Sequence, residues 1–176
     1  MMRPGDKLSS YSALGTALSR LSDLPWRLTV IGDGPARSEV EQAFTEVLPA
    51  GRVTFLGQQE REAVAKCLSG GSIYLWPGHR EAYGLAYLEA QASGLPVVAE
   101  EVAGVPEVVE DGRTGLLTPP GDVQAYADAI RRLLTDEAER MRLSVNARLM
   151  VAEERSMSAA ADRLHQIIQT SMEETA

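Results

Sequence analysis

A single cysteine, Cys67, stands in 176 residues. That excludes an intramolecular disulfide and any cysteine-based metal knuckle, and it fits a reducing compartment. Two histidines, His79 and His165, are too few for a histidine metal site. Cations are also scarce: 17 Lys and Arg against 25 Asp and Glu leave a net charge of −8. No basic cluster supplies the face that phosphate neutralisation requires, which argues against sequence-independent binding to nucleic acid. Small anions can still bind locally, through backbone amides. No apolar run approaches the roughly 18 residues of a membrane span, and the opening MMRPGDKLSS lacks the apolar core of a signal peptide. A cytoplasmic location is expected, either free or peripheral to a membrane. What remains is ordinary for a globular chain, with 44% hydrophobic and 24% charged residues. One domain with a sizeable core is expected over residues 1–176.

The hydrophobic spacing alternates between strand and helix. Leu8, Tyr11, Leu14, Leu18 and Leu21 recur at three or four residues, giving a helix from Lys7 to Ser22 with Asp6 as its cap. Leu28 to Ile31 is a β-branched strand stopped by Gly32-Asp33-Gly34-Pro35, and Val40, Phe44 and Val47 form the inner face of the next helix. Val53 to Leu56 and Ile73 to Trp76 read as strands flanking a helix at Glu60 to Leu68. Pro96 to Ala99 and Gly115 to Thr118 read as two more, with a short helix at Pro106 to Glu110 between them. Three helices close the chain, over about 123–172. Such alternation implies an α/β domain whose parallel sheet is covered on both faces. The Gly32-Asp33-Gly34-Pro35 turn invites a dinucleotide reading, but the third glycine is absent and Pro35 removes an amide.

The chain is organised around WPGHREAYGLAYLEAQASGLP, from Trp76 to Pro96. A strand stops at Pro77-Gly78, a polar loop carries Glu81, and Gly84 opens a helical segment with Leu85, Leu88 and Ala92 on one face. In an open α/β sheet such a junction lies at the carboxyl end of a strand, and the helix start offers unpaired amides to an anion. Gly84 allows a phosphate close to the backbone, with the Leu85 and Ala86 amides pointing toward it. A larger residue at Gly84 is expected to block the phosphate while disturbing the fold little. Glu89 leans back toward the helix start and suits the hydroxyls of a sugar beside the phosphate. Glu81 suits a second sugar. Phosphate flanked by two polyols outlines a nucleotide sugar.

Glu81 and Glu89 within EAYGLAYLEA, followed by SGLPVVAEEVAGVPEVVEDGRTGLLTPPGD and preceded by LTVIGDGP and VTFLGQ, resemble the donor-binding half of the retaining group 1 glycosyltransferases of GT-B fold. The resemblance runs from about Arg3 to the C-terminus. It implies a Rossmann-like three-layer domain, the C-terminal half of a GT-B fold. In the family a strand precedes the Arg/Lys segment and is central to the sheet, whereas here only Met1 and Met2 precede Arg3. The resemblance therefore implies a domain lacking its first strand, with the acceptor-binding N-terminal domain absent and supplied in cis or in trans.

Its implied roles follow residue by residue. Glu89 would bind the nucleotide ribose and Glu81 the donor sugar's hydroxyls, while Arg3 and Lys7 would stabilise the departing diphosphate. The spacing of Arg3 to Lys7 is one residue shorter than the family's usual pattern, and Arg3 lies where a terminus is expected to fray. Gly57, Gln58 and Gln59 would line the base. The implied activity is retaining hexosyl transfer from a nucleoside-diphosphate sugar to a sugar, lipid or other small-molecule acceptor, without metal or cofactor. Two rival readings are a non-catalytic nucleotide-sugar-binding module and a sugar-nucleotide epimerase-like enzyme. His79 reads as a solvated loop residue, and Trp76, Tyr83 and Tyr87 as packing.

Overall fold

A computed structural model describes residues 1–173. Helices α1 (Asp6–Ser19), α2 (Arg37–Thr45), α3 (Arg61–Ser69), α4 (Leu85–Ala92), α5 (Val123–Thr135), α6 (Glu137–Glu154) and α7 (Met157–Glu173) alternate with strands β1 (Leu28–Ile31), β2 (Val53–Gly57), β3 (Tyr74–Leu75), β4 (Val97–Glu100) and β5 (Gly115–Thr118) until the three closing helices. Two local expectations change. Asp6 is the first helical residue of α1 rather than its cap, which is Gly5 and makes no side-chain hydrogen bond. The short helix expected at Pro106 is a single 3-10 turn, Val105–Glu107.

All strand pairings are parallel, and they form two separate sheets. β1 pairs with β2, and β3, β4 and β5 form the second sheet in that order. β1 and β3 are not paired with one another. Between them a cavity of about 750 Å³ runs from Arg27 and Gly71 at the amino ends of the strands to Gly32, Gln58 and Glu89 at the carboxyl ends. β3 is two residues long, shorter than the expected Ile73 to Trp76.

Strand alternation explains the layers. Val98 points into a core with Tyr11, Leu14 and Leu18 of α1, Phe44 of α2 and Tyr126 and Ile130 of α5. Val97 and Ala99 point the other way, into a second core with Tyr87 and Ala90 of α4 and with Val105, Val108 and Val109. All four residues of β4 are buried, as expected for a strand covered on both faces. Tyr126 spends its hydroxyl on the Val98 carbonyl at 2.9 Å, which ties α5 to this strand. The chain start is also fastened. Met2 is fully buried, donates to the Asp33 carbonyl at 2.9 Å and accepts from the Ala36 amide at 3.2 Å, so the chain beside Arg3 does not fray. Gly34 permits this contact, because a Cβ there would stand 2.2 Å from the Met2 carbonyl oxygen. Along α6 and α7, Met141, Val145, Leu149, Leu164, Ile167 and Ile168 remain exposed. Among the described residues, no helix is long and apolar enough to cross a membrane.

Candidate active site

The loop between β3 and α4 turns through three residues of positive φ, Gly78, Arg80 and Gly84. Gly84 takes the left-handed conformation (φ 82, ψ 66) and caps α4 without a side-chain hydrogen bond. Among the described residues, the Leu85 and Ala86 amides find no acceptor. Both residues are exposed, so the start of α4 presents open donors and a positive dipole end to solvent. The reason for glycine at position 84 differs from the expectation, however. A Cβ there would lie 2.3 and 2.4 Å from the Tyr87 ring. Tyr87 is fully buried, donates to the Trp76 carbonyl at 3.2 Å and packs edge-on against Tyr74, so it has no room to withdraw. Gly84 is required by the fold before any ligand arrives.

Glu89 lies a little over one turn into α4, exposed, at the carboxyl-end mouth of the cavity together with Ala86, Gln58 and Gln59. Gly57 ends β2 with φ 69 and its carbonyl accepts from the Gly32 amide at 2.8 Å, while the Gln59 side chain folds back to the Leu56 carbonyl at 2.6 Å. The β1 and β2 ends, the cavity and the start of α4 thus share one rim.

Glu81 is reached from α1. Lys7 forms an ion pair with its carboxylate. The Lys7 ammonium also sits 5.2 Å over the Trp76 ring, whose Nε1 lies 3.4 Å from the same carboxylate oxygen. The structure therefore brings Lys7 and Glu81 together, with Trp76 beneath both. Arg3 is not brought to Glu81; it is exposed and its Nε contacts the Met1 sulfur at 2.8 Å. Burial raises the Tyr74 phenol above its usual range, with smaller pushes from Tyr11, Glu89 and Glu81. Burial raises the Tyr87 phenol as well, followed by Tyr74 and Glu81. Both phenols therefore stay protonated near neutral pH, Tyr87 as the donor to the Trp76 carbonyl.

Sequence reasoning missed two features here. Trp76, read as packing, forms the floor under the Lys7 and Glu81 pair; its place at a strand end beside the loop was the available signal. His79, read as solvated, is three-quarters buried at its side chain. Its Nδ1 lies 2.6 Å from Ser9 Oγ, its Nε2 lies 3.2 Å from Glu100 Oε1, and its amide donates to Ser10 Oγ at 3.0 Å. No local pattern links residues so far apart in the chain.

The sequence profile described as glycosyl transferases group 1 matches residues 10–150. The chain belongs to the group 1 glycosyltransferases. Among curated relatives, this chain is 36% identical over 138 residues to the alpha-D-kanosaminyltransferase of Streptomyces kanamyceticus, covering 78% of this chain and 36% of that protein. Among solved structures, the sucrose-phosphate synthase of Thermosynechococcus elongatus superposes with a TM-score of 0.80 at 32% identity, covering 96% of this chain and 44% of that one. The Anabaena HepE in complex with UDP-glucose shares the fold, with a TM-score of 0.75 at 23% identity over 91% of this chain and 46% of that one. The group 1 chain thus spans less than half the length of these proteins. Its α/β arrangement is a Rossmann-like domain of the GT-B kind.

Proposed function

We propose that this chain holds the donor nucleoside-diphosphate sugar for a retaining hexosyl transfer. The observation that carries the reading is the convergence at one end of the strands of open amides at Leu85 and Ala86, the carboxylate of Glu89, and Glu81 paired with Lys7. The diphosphate sits at the start of α4, where unpartnered N–H groups and the helix dipole favour anions. Glu89 accepts from the ribose hydroxyls, and the base lies along Gly57, Gln58 and Gln59. Glu81 accepts from the hydroxyls of the transferred sugar. Lys7, 5.2 Å above the Trp76 ring, leaves Glu81 to meet the phosphate as the ligand enters.

In the transfer, the bond between the anomeric carbon and the diphosphate oxygen breaks. The acceptor oxygen then bonds to that carbon from the face the diphosphate leaves, and the acceptor's hydroxyl proton passes to the departing diphosphate. Charge developing on the departing diphosphate is met by the α4 amides and Lys7, joined by Arg3 as its exposed guanidinium turns from the Met1 sulfur; no metal or cofactor is needed. The acceptor, a sugar, lipid or other small molecule, is presented by an opposing domain in cis or in trans. The exposed apolar residues of α6 and α7 suit contact with such a domain. The location that fits this chemistry is cytoplasmic, free or peripheral to a membrane. The UDP-glucose complex of HepE supports the class of ligand.

Titration calorimetry with a panel of nucleoside diphosphates and their sugars tests the proposal. Saturable one-to-one binding of at least one nucleotide sugar, with its parent diphosphate as competitor, is expected. Absence of heat from every member of the panel would overturn it.

A further inference from the structure

The Glu81 loop has little backbone support of its own. Within it, the Glu81 amide bonds the Gly78 carbonyl at 2.7 Å, and its far side is held by the Gly104 amide on the Ala82 carbonyl at 3.1 Å. Three side chains tie it to the first turns of α1. Arg80 reaches Asp6 only at 3.9 Å, with both side chains well exposed, so that contact contributes little. The Lys7 to Glu81 pair consists of two groups that the proposed ligand itself engages. A donor that recruits both dissolves the tie at the moment when the loop has to be held most accurately. The third side chain is His79, and it stays outside that exchange.

His79 lies between two different elements. On the inner side, its Nε2 faces Oε1 of Glu100, a carboxylate only 3% exposed at the end of β4. Strand alternation aims Glu100, like Val98, at the α1 side of the sheet, and its own amide is fixed by the Pro77 carbonyl at 2.9 Å. On the outer side, Nδ1 meets Ser9 Oγ at 2.6 Å, and that hydroxyl also approaches the Asp6 carbonyl at 3.2 Å. The His79 amide uses Ser10 Oγ, itself bonded to the Asp6 carbonyl at 2.8 Å and buried. With Glu100 as acceptor, Nε2–H donates to its carboxylate and Nδ1 accepts from the Ser9 hydroxyl, so both ring nitrogens are satisfied. A buried anchor on the sheet is thereby linked through one imidazole to the helix that carries Lys7.

We propose that His79 is a positioning residue for the Glu81 loop, a brace that fixes the loop against β4 through Glu100 and against α1 through Ser9, independently of the Lys7 to Glu81 pair. The proposal rests on the reading of Glu81 as a sugar-binding group. It adds that the sugar end of the donor site, and not the nucleotide end, depends on this brace. Among the described residues no hydrogen bond or ion pair joins His79 to Gly84, Glu89 or the β2 end, and Lys7 stays in place because α1 is packed into the core through Tyr11, Leu14 and Leu18, so nucleoside diphosphate affinity is left alone when the brace is removed.

The test combines two measurements on the wild type, Ser9→Ala, His79→Ala and His79→Gln. Ser9→Ala removes only the outer bond and leaves buried Glu100 paired, so it keeps the test usable should His79→Ala fold poorly. Glutamine offers one donor and one acceptor, as the neutral imidazole does, and serves as the conservative replacement. Amide exchange in the ligand-free proteins is expected to quicken at residues 78–83 by about two- to tenfold in Ser9→Ala and His79→Ala, the range of one hydrogen bond, and to recover in His79→Gln. Calorimetry with UDP and UDP-glucose is expected to show the ratio of the two affinities moving against UDP-glucose by a similar factor, with UDP unchanged. Unaltered exchange at 78–83 in folded variants overturns the brace. So does exchange that quickens equally in β4 and α4, or affinity lost equally for both ligands, because each marks a merely structural role. If the wild type binds neither ligand, the donor-site reading fails, and the exchange arm still decides whether His79 holds the loop.

Discussion

Replacing Gly84 by alanine separates two reasons for glycine that sequence alone cannot distinguish. The backbone at this position has φ 82 and ψ 66, where an L side chain costs about 1–2 kcal/mol. The added Cβ would stand 2.3 Å from Cδ2 and 2.4 Å from Cε2 of Tyr87, more than 1 Å inside ordinary contact. Tyr87 is fully buried between the Trp76 carbonyl and Tyr74, so the strain has to be taken up by the loop or the helix start, at about 1–3 kcal/mol more. The sum is about 2–5 kcal/mol of lost stability with no ligand present. Gly121 provides the control, because its φ is 74 but nothing lies within 4 Å of a Cβ placed there. Gly121→Ala should cost only the conformational part, about 1–2 kcal/mol. Urea denaturation of both variants measures the difference. If Gly84→Ala costs no more than Gly121→Ala, the steric argument is wrong and the glycine is there for the ligand alone.

Three further outcomes are expected. Asp122 caps α5 by accepting from the Ala125 amide at 2.9 Å, and Asp122→Ala should lower stability by about 1 kcal/mol in the same denaturation assay. Asp23 is gripped by both terminal nitrogens of Arg131, at 2.7 and 2.9 Å, and that hydrogen bonding holds its carboxyl below the ordinary 3.8. Its folded pKa is depressed, so its stabilisation is present above the ordinary value and lost as pH falls through the lower folded value; Asp23→Asn should flatten the acid limb of stability in that window. The amides of Leu28 and Gly32, at the start of β1 and just past its end, bond the Arg52 and Gly57 carbonyls, and those of Tyr74 and Trp76, at the start of β3 and just past its end, bond the Pro96 and Val98 carbonyls, leaving the amides of Thr29, Ile31 and Leu75 aimed at the cavity by alternation. Exchange at Thr29, Ile31 and Leu75 should therefore be fast beside protected neighbours; uniform protection along both strands would show that the edges are paired in solution.

The element order was legible because it rests on local spacing. Leu28 to Ile31, the Gly70-Gly71 break and the apolar faces of α1 and α5 each announce themselves within a few residues. Boundaries moved where tertiary pairing decides them: β3 keeps only the two residues in register with Val97 and Val98, and the Met2 carbonyl and amide are held by a turn more than thirty residues away. The start of α4 and its two glutamates could be read because strand, loop and helix are contiguous. Lys7 could be placed at the site only through the resemblance, since its approach to Glu81 depends on α1 crossing the loop. The Ser9, His79 and Glu100 contacts were out of reach for the same reason, joining three elements by chemistry that no spacing encodes. That the fold itself demands glycine at position 84 was not legible, because the loop sequence does not reveal that the Tyr87 ring packs against it.

The division of labour between the two glutamates tests the central claim most directly. Glu89, at the cavity mouth beside Gln58, is assigned to the nucleotide, and Glu81, paired with Lys7 over Trp76, to the transferred sugar. Titration calorimetry of the wild type, Glu89→Ala and Glu81→Ala with UDP and with UDP-glucose decides it. Glu89→Ala should weaken both ligands by about 1.5–3 kcal/mol, the loss expected for hydrogen bonds to a charged group. Glu81→Ala should weaken UDP-glucose and leave UDP within error of the wild type. Equal losses for both ligands in both variants, or unchanged affinity for UDP in Glu89→Ala, would contradict the account.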